Sequence, residues 1–273
     1  MDIISRINRW MMLLLAVSVF SIAYNVYIYF SYDNFSTGLY FVWIYSFIYL
    51  IGALAGIICI KKVPNIVGNI KWMFYGFVLN ALSMAVGLFF WGYYTVVKGV
   101  DAPYPSLADF AFILTSVASL IVLVTIMNLY RIQITWKRVL EFLIYFVISS
   151  AIIFSIIGEG IEYIFTGFPY VDSGGSFWIN IFDIFWSFTD AATASIALTI
   201  LRVSGGKLFR GLMFYVLGMF AVVAADLIFS YRLANDILWN GDLNDTAFMV
   251  AGILYSVGIL YTLKDFAQKK ISL

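Results

Sequence analysis

Apolar runs of about 20 residues recur from one end of this 273-residue chain to the other. At 1.5 Å per residue, each makes a helix long enough to cross a hydrocarbon core of roughly 30 Å. Composition agrees: 63% of residues are hydrophobic and 11% charged, against about 45–50% and about 25% in soluble domains. That is too little polar surface to cover a globule in water. The expected fold is all-α, a polytopic membrane helix bundle whose principal partner is the lipid bilayer.

Hydropathy predicts eight transmembrane helices, at 10–30, 38–60, 72–97, 107–129, 139–157, 177–201, 211–229 and 246–263. Only the connections 158–176 and 230–245 have room for surface structure, and both are too small for a separate domain. Residues 1–273 therefore read as one transmembrane domain.

Orientation follows from the basic residues, which favour cytoplasmic loops. With eight spans, one side collects Arg6, Arg9, Lys61, Lys62, Lys71, Arg131, Lys137, Arg138, Arg202, Lys207, Arg210, Lys264, Lys269 and Lys270, leaving only Lys98 and Arg232 of the 16 on the other. The expected location is the cell membrane, multi-pass, with N- and C-termini cytoplasmic. Arg6 and Arg9 before an apolar run also suit a signal peptide, but the run has no A-x-A site and exceeds the usual 7–15-residue core. An uncleaved first helix is expected.

The net charge is +1 and no Lys/Arg block exceeds two residues, so a nucleic-acid partner is not expected. With one cysteine, Cys59, and no histidine, the common imidazole metal and haem sites are unavailable, and no cofactor or metal is expected.

The chain also repeats itself. Leu107-Ala108-Asp109-Phe110-Ala111-Phe112-Ile113, opening the fourth span, matches Leu243-Asn244-Asp245-Thr246-Ala247-Phe248-Met249 at the eighth. Asp183-Ile184-Phe185-Trp186 fits a looser form, and Tyr40-Phe41-Val42-Trp43 one without the acid. All enter from the same side, which predicts parallel two-helix hairpin repeats of a kind some transporters use.

Pro103-Tyr104-Pro105-Ser106-Leu107-Ala108-Asp109 resembles the Pro-Ser-x-Ala-Asp motif in the multi-spanning N-terminal membrane sensor regions of prokaryotic diguanylate cyclases, phosphodiesterases and histidine kinases. Ala225-Asp226, then Tyr231, Gly241 and Asp245, looks like the later part of the same pattern. The resemblance covers the third to eighth spans and implies a membrane sensor with an undefined ligand. Since only Lys264 to Leu273 follow the last span, no catalytic output domain is expected here. The sensor role then implies a separate soluble signalling protein as partner.

Carboxylates inside hydrocarbon demand an explanation, because an Asp at a helix centre costs about 2.5–3.5 kcal/mol on insertion scales. Entering from outside, the sixth span places Asp183 about 9 Å deep and Asp190 about 20 Å deep; the seventh places Asp226 about 22 Å from the inner surface. Asp183 and Asp190, seven apart, share a helical face, and Asp183 and Asp226 lie at similar depth. No Lys or Arg within a span is available to pair with them. One reading is protonated acids hydrogen-bonded to neighbouring helices; the other is an outward-opening cavity binding a cation, proton or amine-bearing ligand.

Other polar residues read as structural. Ser106-Leu107-Ala108-Asp109 fits a capping box with Asp in place of Glu, and Asp245 is expected to cap the eighth helix, with Lys98 and Arg232 as counter-ions. Glu141 falls at an inner helix end within reach of Arg138. Asn25 and Asn80 suit interhelical hydrogen bonds, and Trp91, Trp178 and Trp239 outside with Trp10, Trp72 and Trp136 inside suit interfacial belts.

Enzymatic readings lack support. G-x-S-x-G, H-E-x-x-H and Walker sequences are absent, as is the Gly-x-Gly-Asp of intramembrane aspartyl proteases, and the only Tyr-Asp pair, Tyr32-Asp33, is in a loop. Lys264 sits at the boundary of the last span rather than deep within it, unlike a retinal lysine. The leading expectation is a non-enzymatic membrane sensor or ligand-binding module. The runner-up is a small cation- or proton-coupled transporter or channel. All four prolines (Pro64, Pro103, Pro105, Pro169) lie in loops, which weakens the broken-helix form of transport.

Overall fold

The computed structural model describes residues 3–31, 38–61, 68–100, 102–157, 177–204, 210–234, 238 and 240–268. Among the described residues there are eight α-helices and no strand. They are α1 (Ile3–Phe30), α2 (Phe41–Ile60), α3 (Asn69–Gly92), α4 (Leu107–Leu129), α5 (Trp136–Ile157), α6 (Phe177–Ser204), α7 (Arg210–Ala234) and α8 (Leu243–Ala267). A π-helical turn, Tyr93–Lys98, prolongs α3 and ends at Gly99, whose φ of 64° suits the left-handed closing position.

Among the described residues, six segments are long and apolar enough to cross a membrane: Ile3–Phe30, Phe41–Ile60, Ile70–Lys98, Leu107–Leu129, Arg210–Arg232 and Leu243–Ala267. Several helices outrun the spans predicted from hydropathy. α1 begins at Ile3 rather than at residue 10, and α8 runs from Leu243 to Ala267 rather than over 246–263. Hydropathy marks where a chain leaves hydrocarbon, whereas a helix continues until a cap or a loop stops it.

α8 is the hub. It packs against α7 and α2 most extensively, and also against α1 and α3, while α3 pairs closely with α4. The polypeptide backbones approach through small residues, as expected where lipid tails offer no hydrophobic drive to associate. A Cβ added to Gly52 of α2 would fall 2.4 Å from Ser256 Oγ of α8. One added to Gly211 of α7 would fall 2.4 Å from the backbone nitrogen of Thr262. Gly218 and Gly252 make room for rings instead, Tyr255 and Tyr49 respectively.

The outward faces are apolar. Leu13, Leu15, Val19, Phe20 and Ile22 of α1 and Leu140, Leu143, Ile144, Val147 and Ile148 of α5 are all exposed. An apolar surface this extensive suits contact with a lipid bilayer rather than with water. Among the described residues α5 packs chiefly against α6, with a smaller contact to α7.

Candidate functional site

α6 and α7 each carry one half-buried carboxylate, Asp190 and Asp226, and these two interact electrostatically. Their chain neighbours Ala191 and Ala194 on α6 and Ala225 on α7 are buried. The side chain of Asp183 lies outside the described residues.

The core also holds a group of buried oxygen-bearing side chains. The Tyr255 hydroxyl of α8 lies within hydrogen-bonding reach of Ser119 and Asn80, and it interacts electrostatically with both Asp226 and Asp190. Tyr49 of α2 also senses Asp226, while its hydroxyl donates to the Phe248 carbonyl at 2.7 Å. The Tyr255 ring lies 4.7 Å from that of Tyr215 and 6.3 Å from that of Tyr49, centroid to centroid. The Asn80 amide donates to Ser119 Oγ at 2.7 Å and to the Thr115 carbonyl at 3.2 Å, tying α3 to α4. Its carbonyl oxygen, Oδ1, has no hydrogen-bond partner, and neither has the Tyr215 hydroxyl, although both residues are 0% exposed.

A second polar cluster occupies the end of the bundle where α8 begins. Asp245 Oδ2 accepts the Gly241 N–H at 2.6 Å, and Oδ1 accepts the Tyr45 hydroxyl at 2.8 Å. Asn25 of α1 donates to the Gly241 carbonyl at 3.3 Å and accepts from Thr246 Oγ1 at 3.0 Å. The residue that caps α8 is Asp242, whose Oδ1 accepts the Asn244 N–H at 2.9 Å. Asp245 stands to Asp242 as Asp109 stands to Ser106: it lies three residues on, in the first turn, and takes a free backbone N–H at the helix start. Arg232 pairs with Asp242, and Lys98 lies over the Tyr93 ring, 5.8 Å from its centroid.

At α4, Ser106 Oγ accepts the Ala108 N–H at 3.2 Å, and Asp109 Oδ2 accepts from the Ser106 N–H at 2.6 Å and from its hydroxyl at 2.8 Å. These bonds satisfy donors that every helix start leaves free. Glu141 pairs at 3.4 Å with Arg202 of α6 rather than with Arg138, which turns back to the Gln133 carbonyl. Trp72 and Trp136 are exposed, whereas Trp91 packs edge-on against Phe229 at 5.7 Å. The side chains of Trp178 and Trp239 lie outside the described residues.

Sequence reasoning passed over Asp242, Tyr45, Tyr49, Tyr215 and Tyr255. A signal for Asp242 existed, since Asp242-x-x-Asp245 repeats the spacing of Ser106-x-x-Asp109. No comparable signal marked the tyrosines, which are 19 in number and spread through the spans. Compared with known protein families, curated proteins and solved structures, the chain matches none.

Proposed function

We propose that the chain is a non-enzymatic, multi-pass sensor or ligand-binding module of the cell membrane, with eight spans, cytoplasmic termini and a separate soluble protein as its output. The observation that carries this reading is the pair of half-buried carboxylates on adjoining helices, Asp190 of α6 and Asp226 of α7, each within the other's electrostatic influence. Carboxylates retained in hydrocarbon without a basic partner mark functional sites by default. The Pro-Ser-x-Ala-Asp resemblance supplies the sensor class, and the positive-inside asymmetry supplies the orientation.

A transporter is the second reading, favoured by likeness between the α3–α4 and α7–α8 hairpins. In the first, Gly76 meets Val122 and the Ala118 carbonyl; in the second, Gly211 meets Thr262 and the Gly258 carbonyl. Each hairpin thus has a glycine close against its second helix, with the two contacts one turn apart when Asp109 is aligned with Asp245.

Flux separates the two readings. Protein reconstituted into liposomes under a Na⁺ or proton gradient should pass no more ion than the Asp190→Asn/Asp226→Asn double variant. A flux in the wild type that the double variant lacks overturns the sensor reading in favour of transport.

A further inference from the structure

The end of the bundle where α1 begins and α8 ends gathers positive charge beside an apolar helix face. A cleft of about 500 Å³ runs along the first turns of α1, lined by Ile4, Ser5, Asn8, Arg9 and Met12. Lys264 of α8 donates to the Asn8 side-chain oxygen at 3.1 Å, which brings a second cation to the edge of the cleft. Among the described residues the ion pairs join other partners, Arg202 with Glu141 and Arg232 with Asp242, and neither Arg9 nor Lys264 takes part in one. Asp265, next along α8, does not line the cleft. The two neutral polar groups that do, the Ser5 hydroxyl and the Asn8 amide, are hydrogen-bond donors as well as acceptors. Two cations and two donors suit an anion with several acceptor oxygens, such as a phosphate.

Beyond the cleft the same face of α1 is apolar. Met12, Leu15, Val19, Ile22 and Val26 recur every three or four residues, which places them in one stripe, and all five are exposed. A ligand that meets both regions carries a charged head and a hydrocarbon tail. We propose that the cleft holds the headgroup of an anionic phospholipid, with its phosphate between Arg9 and Lys264 and an acyl chain along the Met12, Leu15 and Val19 stripe. Asp190 and Asp226 play no part in this site, so it stands or falls apart from the ligand-site reading. A zwitterionic headgroup suits it less, because its ammonium would face Arg9 and Lys264 with no lining carboxylate to meet it. Free phosphate would leave the apolar stripe unused.

The test uses the full-length protein in a neutral detergent, titrated with phosphatidylglycerol or with phosphatidylcholine of the same chain length. Native mass spectrometry counts the bound lipid and thermal unfolding reads its effect. Phosphatidylglycerol should fill one preferred site per chain and raise the Tm saturably, by about 5 °C at 100 times Kd, while phosphatidylcholine at the same concentration does neither. Arg9→Gln and Lys264→Gln should each weaken phosphatidylglycerol binding about fivefold, and together about 30-fold, the factors expected for one and two basic residues at a lipid surface. Lys137→Gln, which removes an exposed charge at the start of α5, should bind as the wild type does. Unmutated protein offered both lipids in equal amounts gives a measurement that does not depend on the variants folding, and it should retain phosphatidylglycerol through detergent washing. Equal retention of the two lipids overturns the proposal and leaves Arg9 and Lys264 merely reaching for water. A phosphatidylglycerol affinity that survives the double substitution, or that falls as far in Lys137→Gln, overturns it too. Glycerol phosphate bound as tightly as phosphatidylglycerol, with the same loss in the variants, overturns the lipid assignment in favour of a site for a soluble anion.

Discussion

Asp245 shows how a carboxylate is kept inside this bundle at modest cost. Its two oxygens take a backbone N–H from Gly241 and the hydroxyl of Tyr45, one strand of loop and one neighbouring helix. Removing the Tyr45 hydroxyl leaves a buried acceptor short of a donor, which costs about 1–3 kcal/mol. Tyr45→Phe should therefore lower the Tm in detergent by several degrees, while Tyr40→Phe, on an exposed tyrosine, should leave it unchanged; equal behaviour of the two variants would refute the assignment. At this scale the Ser106-x-x-Asp109 spacing was legible, because a capping box is a local pattern of four residues. The cluster of buried tyrosines in the core was not. Tyr49 and Tyr255 lie 206 positions apart in the chain and become neighbours only when α2 and α8 pack, and a tyrosine in an apolar run carries no mark of that.

Among the helices, the glycines differ in what stands against them. Gly211 faces main-chain atoms, Thr262 N and the Gly258 carbonyl at 2.8 Å, whereas a Cβ on Gly87 would meet only the Phe112 ring. A ring can swing aside; a helix backbone cannot. Gly211→Ala should destabilise the protein by about 1–3 kcal/mol, the usual range for overpacking, and by more than Gly87→Ala. Urea or thermal unfolding of the two variants in matched detergent checks the order, and a larger loss for Gly87→Ala would contradict the packing described. The existence of the eight helices could be read from hydropathy because none contains proline and each apolar run is long. Their ends could not, since α1 continues through Arg6 and Arg9 and α8 through Lys264, where side chains reach polar surroundings while the helix goes on.

For the whole molecule, the apolar exterior and the hub position of α8 describe a bundle built for lipid, and six helices meet the length and hydropathy needed to cross it. The two that decide the topology are α5 and α6, which pack on each other. Because they are consecutive, a six-span and an eight-span chain orient every other helix identically, and the basic residues on the remaining loops cannot tell them apart. The connection 158–176 can, since it contains no Lys or Arg and changes sides between the two schemes. The direct measurement is labelling of single cysteines with a membrane-impermeant maleimide in intact cells, in a Cys59→Ala background. The eight-span account predicts that a cysteine at Ser173 reacts from outside, as one at Val100 does, while cysteines at Gly68 and Ser204 react only after the membrane is opened. A cysteine at Ser173 protected in intact cells and labelled only on lysis, with Val100 still reacting from outside, would contradict it.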